Sequence, residues 1–138
     1  MISFTQVKEI LLNICSILND NKIDYLVYGS AAMKLLVNKD LDVNDIDLIV
    51  KQADFNKIKN LLPDSFNPIQ TNFTIHANAN NYLGKNNQPF DVSFDSYEHY
   101  FQKDGIRIND FVKKEIAGVI VKIMPAESLN KVYAKHQH

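Results

Sequence analysis

Three features of this sequence have residue types and spacing that could do chemistry: Gly29-Ser30, Asp45-Ile46-Asp47 and Asp91. Two carboxylates at i and i+2 of a strand point to the same face, about 6.5–7 Å apart along the chain. That spacing lets both converge on one hard cation, or on two cations about 3.5–4 Å apart. A third carboxylate from a neighbouring strand would complete an oxygen-rich site. Mg2+ prefers such a site, with water and phosphate oxygens in the remaining positions. A small-residue turn leading into a helix offers free backbone N–H groups and a positive dipole end. Such a turn suits the distal phosphates of a nucleoside triphosphate, and Ser30 adds a hydroxyl donor without crowding them.

The elements that must position these groups can be read from periodicity. Phe4, Val7, Leu11, Ile14 and Leu18 recur at steps of three and four, with Ile10 and Ile17 widening the stripe, so residues 4 to 19 form a helix. Ser3 and Gln6 have capping-box spacing at its start. Ile23 to Tyr28 reads as a buried strand. It stops at Gly29-Ser30, and Ala31 to Leu36 are strong helix formers, which places Ser30 at an N-cap. Residues 38 to 44 are polar loop, Asp45 to Val50 a second strand, and Ala53 to Leu62 a second helix ended by Pro63. Ile69 to Ile75 alternates like a strand, and Gly84-Lys85-Asn86-Asn87 is turn material. In Phe90 to Asp95 the apolar residues Phe90, Val92 and Phe94 face one way, and Asp91, Ser93 and Asp95 the other. Short helices are expected at Tyr97 to Gln102 and Asp110 to Glu115, a strand at Gly118 to Met124, and a closing helix after Pro125. The alternation implies an α+β fold: a mixed sheet with helices packed on it, as one domain over residues 1–138.

Composition excludes several classes. Lys and Arg total 15 against 16 Asp and Glu, which argues against broad nucleic-acid binding driven by clustered basic charge. Arg107 is the only arginine, so forked phosphate clamps are nearly unavailable. Cys15 stands alone, which rules out an intramolecular disulfide and a Cys-rich zinc site. No run approaches the ~18 apolar residues of a membrane span, and the first residues lack a signal-peptide pattern, so the expectation is a cytoplasmic protein without membrane contact. His76 and His99 are isolated and read as surface positions, and His136 and His138 read as frayed positions at the C-terminus.

Tyr25-Leu26-Val27-Tyr28-Gly29-Ser30-Ala31-Ala32, a spacer, then Asp45-Ile46-Asp47-Leu48-Ile49-Val50, resembles the nucleotidyltransferase superfamily that includes DNA polymerase β. The family pattern is an apolar strand, Gly-Ser or Gly-Gly, a helix, an Asp-x-Asp strand and a third Asp on a later strand, and Phe90-Asp91-Val92 looks like that last element. The sixteen-residue step from Gly29 to Asp45 is more similar to the lincosamide-type and abortive-infection-type branches than to the minimal antitoxin-type enzymes. Leu41-Asp42-Val43-Asn44 departs from the many relatives with an Arg or Thr just before the first Asp.

The resemblance implies a metal-dependent transfer of an NMP group from an NTP to a hydroxyl acceptor, releasing pyrophosphate. Two Mg2+ ions would be held by Asp45, Asp47 and Asp91, with Asp91 also drawing the acceptor proton. Gly29 and Ser30 would hold the β- and γ-phosphates, and Lys131 would supply a point charge. Asp95 shares the strand face and is the alternative to Asp91, which matches the apolar-Asp-apolar pattern better. The acceptor would be a small molecule or a protein, with a protein partner completing its site. A second reading is a catalytically reduced binding module, antitoxin-like or regulatory. Tyr97, Tyr100 and Phe101 read as core or lid packing, with base stacking as the rival role.

Overall fold

The apolar stripe at positions 7, 11, 14 and 18 winds the first segment into helix α1 (Phe4–Asp20) and buries all four side chains against the sheet. The computed structural model describes residues 4–43, 45–62, 74–75, 81–85 and 91–136. Ser3, residues 69–73 of the expected strand, Asn86-Asn87, Phe90, His76 and His138 lie outside these residues.

Strand β1 (Tyr25–Tyr28) is buried along its length and runs straight into helix α2 (Gly29–Leu36). Ala31 and Ala32 are buried there, and their small size lets α2 sit close to the sheet. Strand β2 (Asp45–Val50) matches the range expected from the sequence. A 3-10 turn (Gln52–Asp54) leads into helix α3 (Phe55–Leu61). Strands β3 (Thr74–Ile75), β4 (Asn81–Lys85) and β5 (Asp91–Ser96) follow, then helix α4 (Tyr97–Asp104), strands β6 (Val112–Ile116) and β7 (Val119–Ile123), and helix α5 (Ala126–His136).

Among the described residues the seven strands form one sheet in the order β3-β4-β5-β2-β1-β7-β6. The pairs β2–β5 and β1–β7 are parallel and the others antiparallel, so the sheet is mixed. Ile46, Leu48, Val92 and Phe94 are fully buried or nearly so, and they pin the β2–β5 register, because a one-residue slip would turn them to the opposite face. Tyr25 ties α1 to β7: its hydroxyl donates to Asn19 Oδ1 at 3.1 Å or to the Ile120 carbonyl at 3.2 Å. Among the described residues no helix is long and apolar enough to cross a membrane.

Three local expectations are corrected. Ser30 is not the N-cap: Tyr28 takes that position and no side chain caps the helix, because the chain turns sharply at Gly29 as soon as the strand ends. Gly84 and Lys85 are in strand β4, paired with Ser93 and Val92, because cross-strand hydrogen bonding outweighs their turn preference. Residues 112–116 form an edge strand instead of a helical turn. Ala117 and Gly118, at φ 49° and 82°, join it to β7 in a two-residue hairpin of the kind that needs positive φ at both positions.

Phe94 is fully buried, with Leu48 as its register partner on β2. Phe94→Ala should lower stability by about 3–5 kcal/mol, read from chemical denaturation at constant m-value.

Candidate functional site

Parallel pairing of β2 with β5 sets Asp45 beside Asp91, Asp47 beside Ser93 and Ile49 beside Asp95. Residues paired in register share a face, so one side of the sheet carries a polar row while its other side carries Ile46, Leu48, Val92 and Phe94. Asp45 and Asp47 are both half-buried. Ser93 Oγ donates to Asp47 Oδ1 at 2.7 Å, and Ser30 Oγ makes a long 3.5 Å contact to Asp45 Oδ1. The structure therefore brings Ser30, Asp45 and Asp47 together, with Asp91 at the register position next to Asp45.

Gly29 completes the arrangement from the other side. Antiparallel pairing sets Tyr28 across from Asp47, so the turn that follows Tyr28 runs directly over that carboxylate. Gly29 has φ +73°, and a Cβ built there would stand 2.5 Å from Asp47 Oδ2. Glycine is required twice over, by the left-handed backbone and by the close approach. The uncapped first turn of α2 follows at once.

The electrostatics show strain. Burial pushes the Asp47 carboxyl up to about 7, against the pull of the Ser93 hydroxyl, and the negative charges of Asp45 and Asp95 push the same way. Among the described residues neither Asp45 nor Asp47 is in a salt bridge.

Two tyrosines close one end of the row. The Tyr28 hydroxyl donates to Asp95 Oδ2, and the Tyr100 hydroxyl lies 3.1 Å from that of Tyr28. Tyr28 has one proton, given to Asp95, so Tyr100 is the donor in the second bond. Burial, then the charge of Asp95, holds Tyr28 well above the usual phenol range, and burial pushes Tyr100 up to about 12. Helix α4 delivers Tyr100: Ser96 caps it by accepting the His99 N–H at 3.2 Å, and Gly105 ends it at φ 70°. Tyr100 is thus a buried packing residue, while Phe101 is 46% exposed and stands out from the helix. Lys131 lies on α5 with an exposed side chain, and among the described residues it forms no salt bridge with Asp45 or Asp47. The period of two set Ser93 on the face of Asp91 and Asp95 without giving it a role, and sequence reading gave Tyr28 none. Tyr28 gave no such signal, because its partner Asp95 is 67 residues away.

No family model matches the chain, and no curated protein matches it in sequence. Two solved structures resemble it. One is a candidate nucleotidyltransferase from Thermotoga maritima, with TM-score 0.75 and 17% identity, covering 99% of this chain and 88% of the other. The second is an antigenic nucleotidyltransferase-like protein from Paracoccidioides brasiliensis, with TM-score 0.59 and 18% identity, covering 99% of this chain and 69% of the other. The fold is nucleotidyltransferase-like. At these identities the likeness speaks for the architecture alone.

A nucleotidyltransferase-like fold implies a divalent metal, and the donor set can be tested against one. Asp45, Asp47 and Ser30 offer only oxygen, the ligand type hard cations take. The Asp47 carboxyl is raised first by burial and further by the charges of Asp45 and Asp95, so positive charge beside it would favour its ionised form. Among the described side chains no three acidic, imidazole or thiol groups enclose an ion by themselves. The residues fit a hard divalent ion provided a further oxygen comes from outside that set.

Gly29→Ala should cost at least about 2 kcal/mol, from the left-handed backbone and the contact with Asp47, measured by thermal or urea unfolding. Asp47 also predicts a pH dependence for the chain in EDTA. Between the ordinary carboxyl value of 3.8 and about 7 the folded state holds a proton that the unfolded state has released. Stability therefore falls as pH rises through that window, by roughly 2–4 kcal/mol. Asp47→Asn should flatten the slope in urea titrations at stepped pH.

Proposed function

We propose that this chain is a metal-dependent nucleotidyltransferase that moves a nucleoside monophosphate from an NTP to a hydroxyl acceptor. The observation that carries the reading is the joining of Asp45 and Asp47 on one strand with the register position of Asp91, directly beneath the turn at Gly29. The fold likeness supports the same reading.

In this reading Asp45, Asp47 and Asp91 hold Mg2+, two ions in the full complex. The bound metal would neutralise charge on the attacking and leaving oxygens. The uncapped N–H groups at the start of α2, with Ser30 Oγ, receive the distal phosphates, and Gly29 lets them approach without a side chain in the way. Asp91 takes the acceptor proton. The acceptor oxygen then forms its bond to the α-phosphorus, the bond to the bridging oxygen of the β-phosphate breaks, and pyrophosphate leaves. Lys131 supplies a point charge to the triphosphate from α5. The spacing of Gly29 and Asp45 favours the lincosamide-type and abortive-infection-type branches. The acceptor is a small molecule or a protein, and a partner protein completes its pocket.

Calorimetric titration of an NTP with and without Mg2+ tests this. The unaltered chain should bind the NTP more tightly with Mg2+, and Asp45→Asn and Asp91→Asn should each lose that enhancement by ~100-fold or more. If Mg2+ makes no difference to the unaltered chain, the transferase reading is wrong, and a non-catalytic binding module on the same fold takes its place.

A further inference from the structure

We propose that Ser93 is a positioning residue that makes Asp47 a one-oxygen ligand and so tunes the site toward Mg2+ over Ca2+. This rests on the metal-binding role proposed above for Asp47. Asp47 is gripped from two sides. Ser93, its register partner on β5, donates its only hydroxyl proton to Oδ1 at 2.7 Å. The other oxygen, Oδ2, lies against the Gly29 turn, 2.5 Å from where a Cβ would stand. The carboxylate is therefore oriented by the sheet and the turn before any ion arrives, with Oδ1 engaged by the hydroxyl and Oδ2 on the side of the Gly29 turn.

That asymmetry bears on ion choice. Mg2+ demands near-ideal octahedral geometry and takes carboxylates through single oxygens. Ca2+ accepts six to eight oxygens in flexible geometry and readily chelates both oxygens of one carboxylate. A hydroxyl seated on Oδ1 obstructs two-oxygen chelation and leaves single-oxygen ligation intact. Gly84 on β4 is the register partner of Ser93 on its other side, and a glycine adds no side chain of its own beside the hydroxyl.

The test is calorimetric titration of Mg2+ and of Ca2+, each alone, into the unaltered chain and into Ser93→Ala, Ser93→Cys and Ser93→Thr. Thermal unfolding in EDTA reports whether each variant folds. Ser93→Ala should lose ~10–100-fold in Mg2+ affinity while Ca2+ affinity is retained or improved. Ser93→Cys, close in size but a weak donor, should behave the same way and serves if the alanine variant unfolds. Ser93→Thr keeps the hydroxyl and should restore the preference. Equal losses for both ions, unchanged Mg2+ binding in the alanine and cysteine variants, or failure of threonine to rescue would each overturn the proposal while leaving the metal reading standing. If the unaltered chain binds neither ion, both fall together.

Discussion

The contact between the Gly29 turn and the Asp47 carboxylate is the constraint around which the rest of the site is arranged. A single methyl group at position 29 would stand 2.5 Å from Oδ2, so β1 can end over β2 only if the residue there has no side chain. The left-handed φ of +73° then bends the chain into α2 within one residue. Because Tyr28 pairs with Asp47 and Asp47 with Ser93, three adjacent strands meet at that carboxylate. The helix start, the acidic row and the serine are fixed relative to one another by sheet hydrogen bonding and not by loops. Rigid strands hold such a constellation more accurately than loops can.

The same contact has an energetic cost. Desolvation and two neighbouring acids oppose ionisation of Asp47, and the Ser93 hydroxyl offsets only part of this. A folded chain that keeps a carboxyl near 7 gives up stability that a neutral side chain would retain. The apolar layer beneath the row supplies the opposing term: Ile46, Leu48 and Phe94 are fully buried, and Val92 is nearly so. The strain is confined to the acidic end of a face that also carries the fully buried Leu26 and Ile49.

Tyr28 and Tyr100 give the strained face a boundary. They pass hydrogen bonds in one direction, from Tyr100 to Tyr28 to Asp95, and so engage that third, half-buried acid. Asp95 lies beside Ile49, one same-face pair beyond Asp47, whereas Asp91 lies beside Asp45 at the opposite end of the row. The two acids that the sequence offered as alternatives therefore occupy different settings, one engaged with a phenol and the other next to the Asp-x-Asp pair.

Local pattern made much of this legible. The strand at 45–50, the alternation from 92 to 95 and the apolar stripe of α1 all follow from periods of two or 3.6, which are properties of neighbouring residues. Where cross-strand pairing had to compete with local preference, local reading failed. Gly84-Lys85 became strand because Ser93 and Val92 supply hydrogen-bond partners, and 112–116 became strand because β7 does. Ser30 lost the capping position because Gly29 turns the chain one residue earlier. From its sequence alone this protein had determined which residues alternate, which faces are apolar and which side chains bear oxygen. The tertiary structure alone decided that Ser93 holds Asp47, that Tyr28 reaches Asp95 and that Gly29 must stay bare. Those depend on the register between strands distant in the chain, and no local pattern records a register.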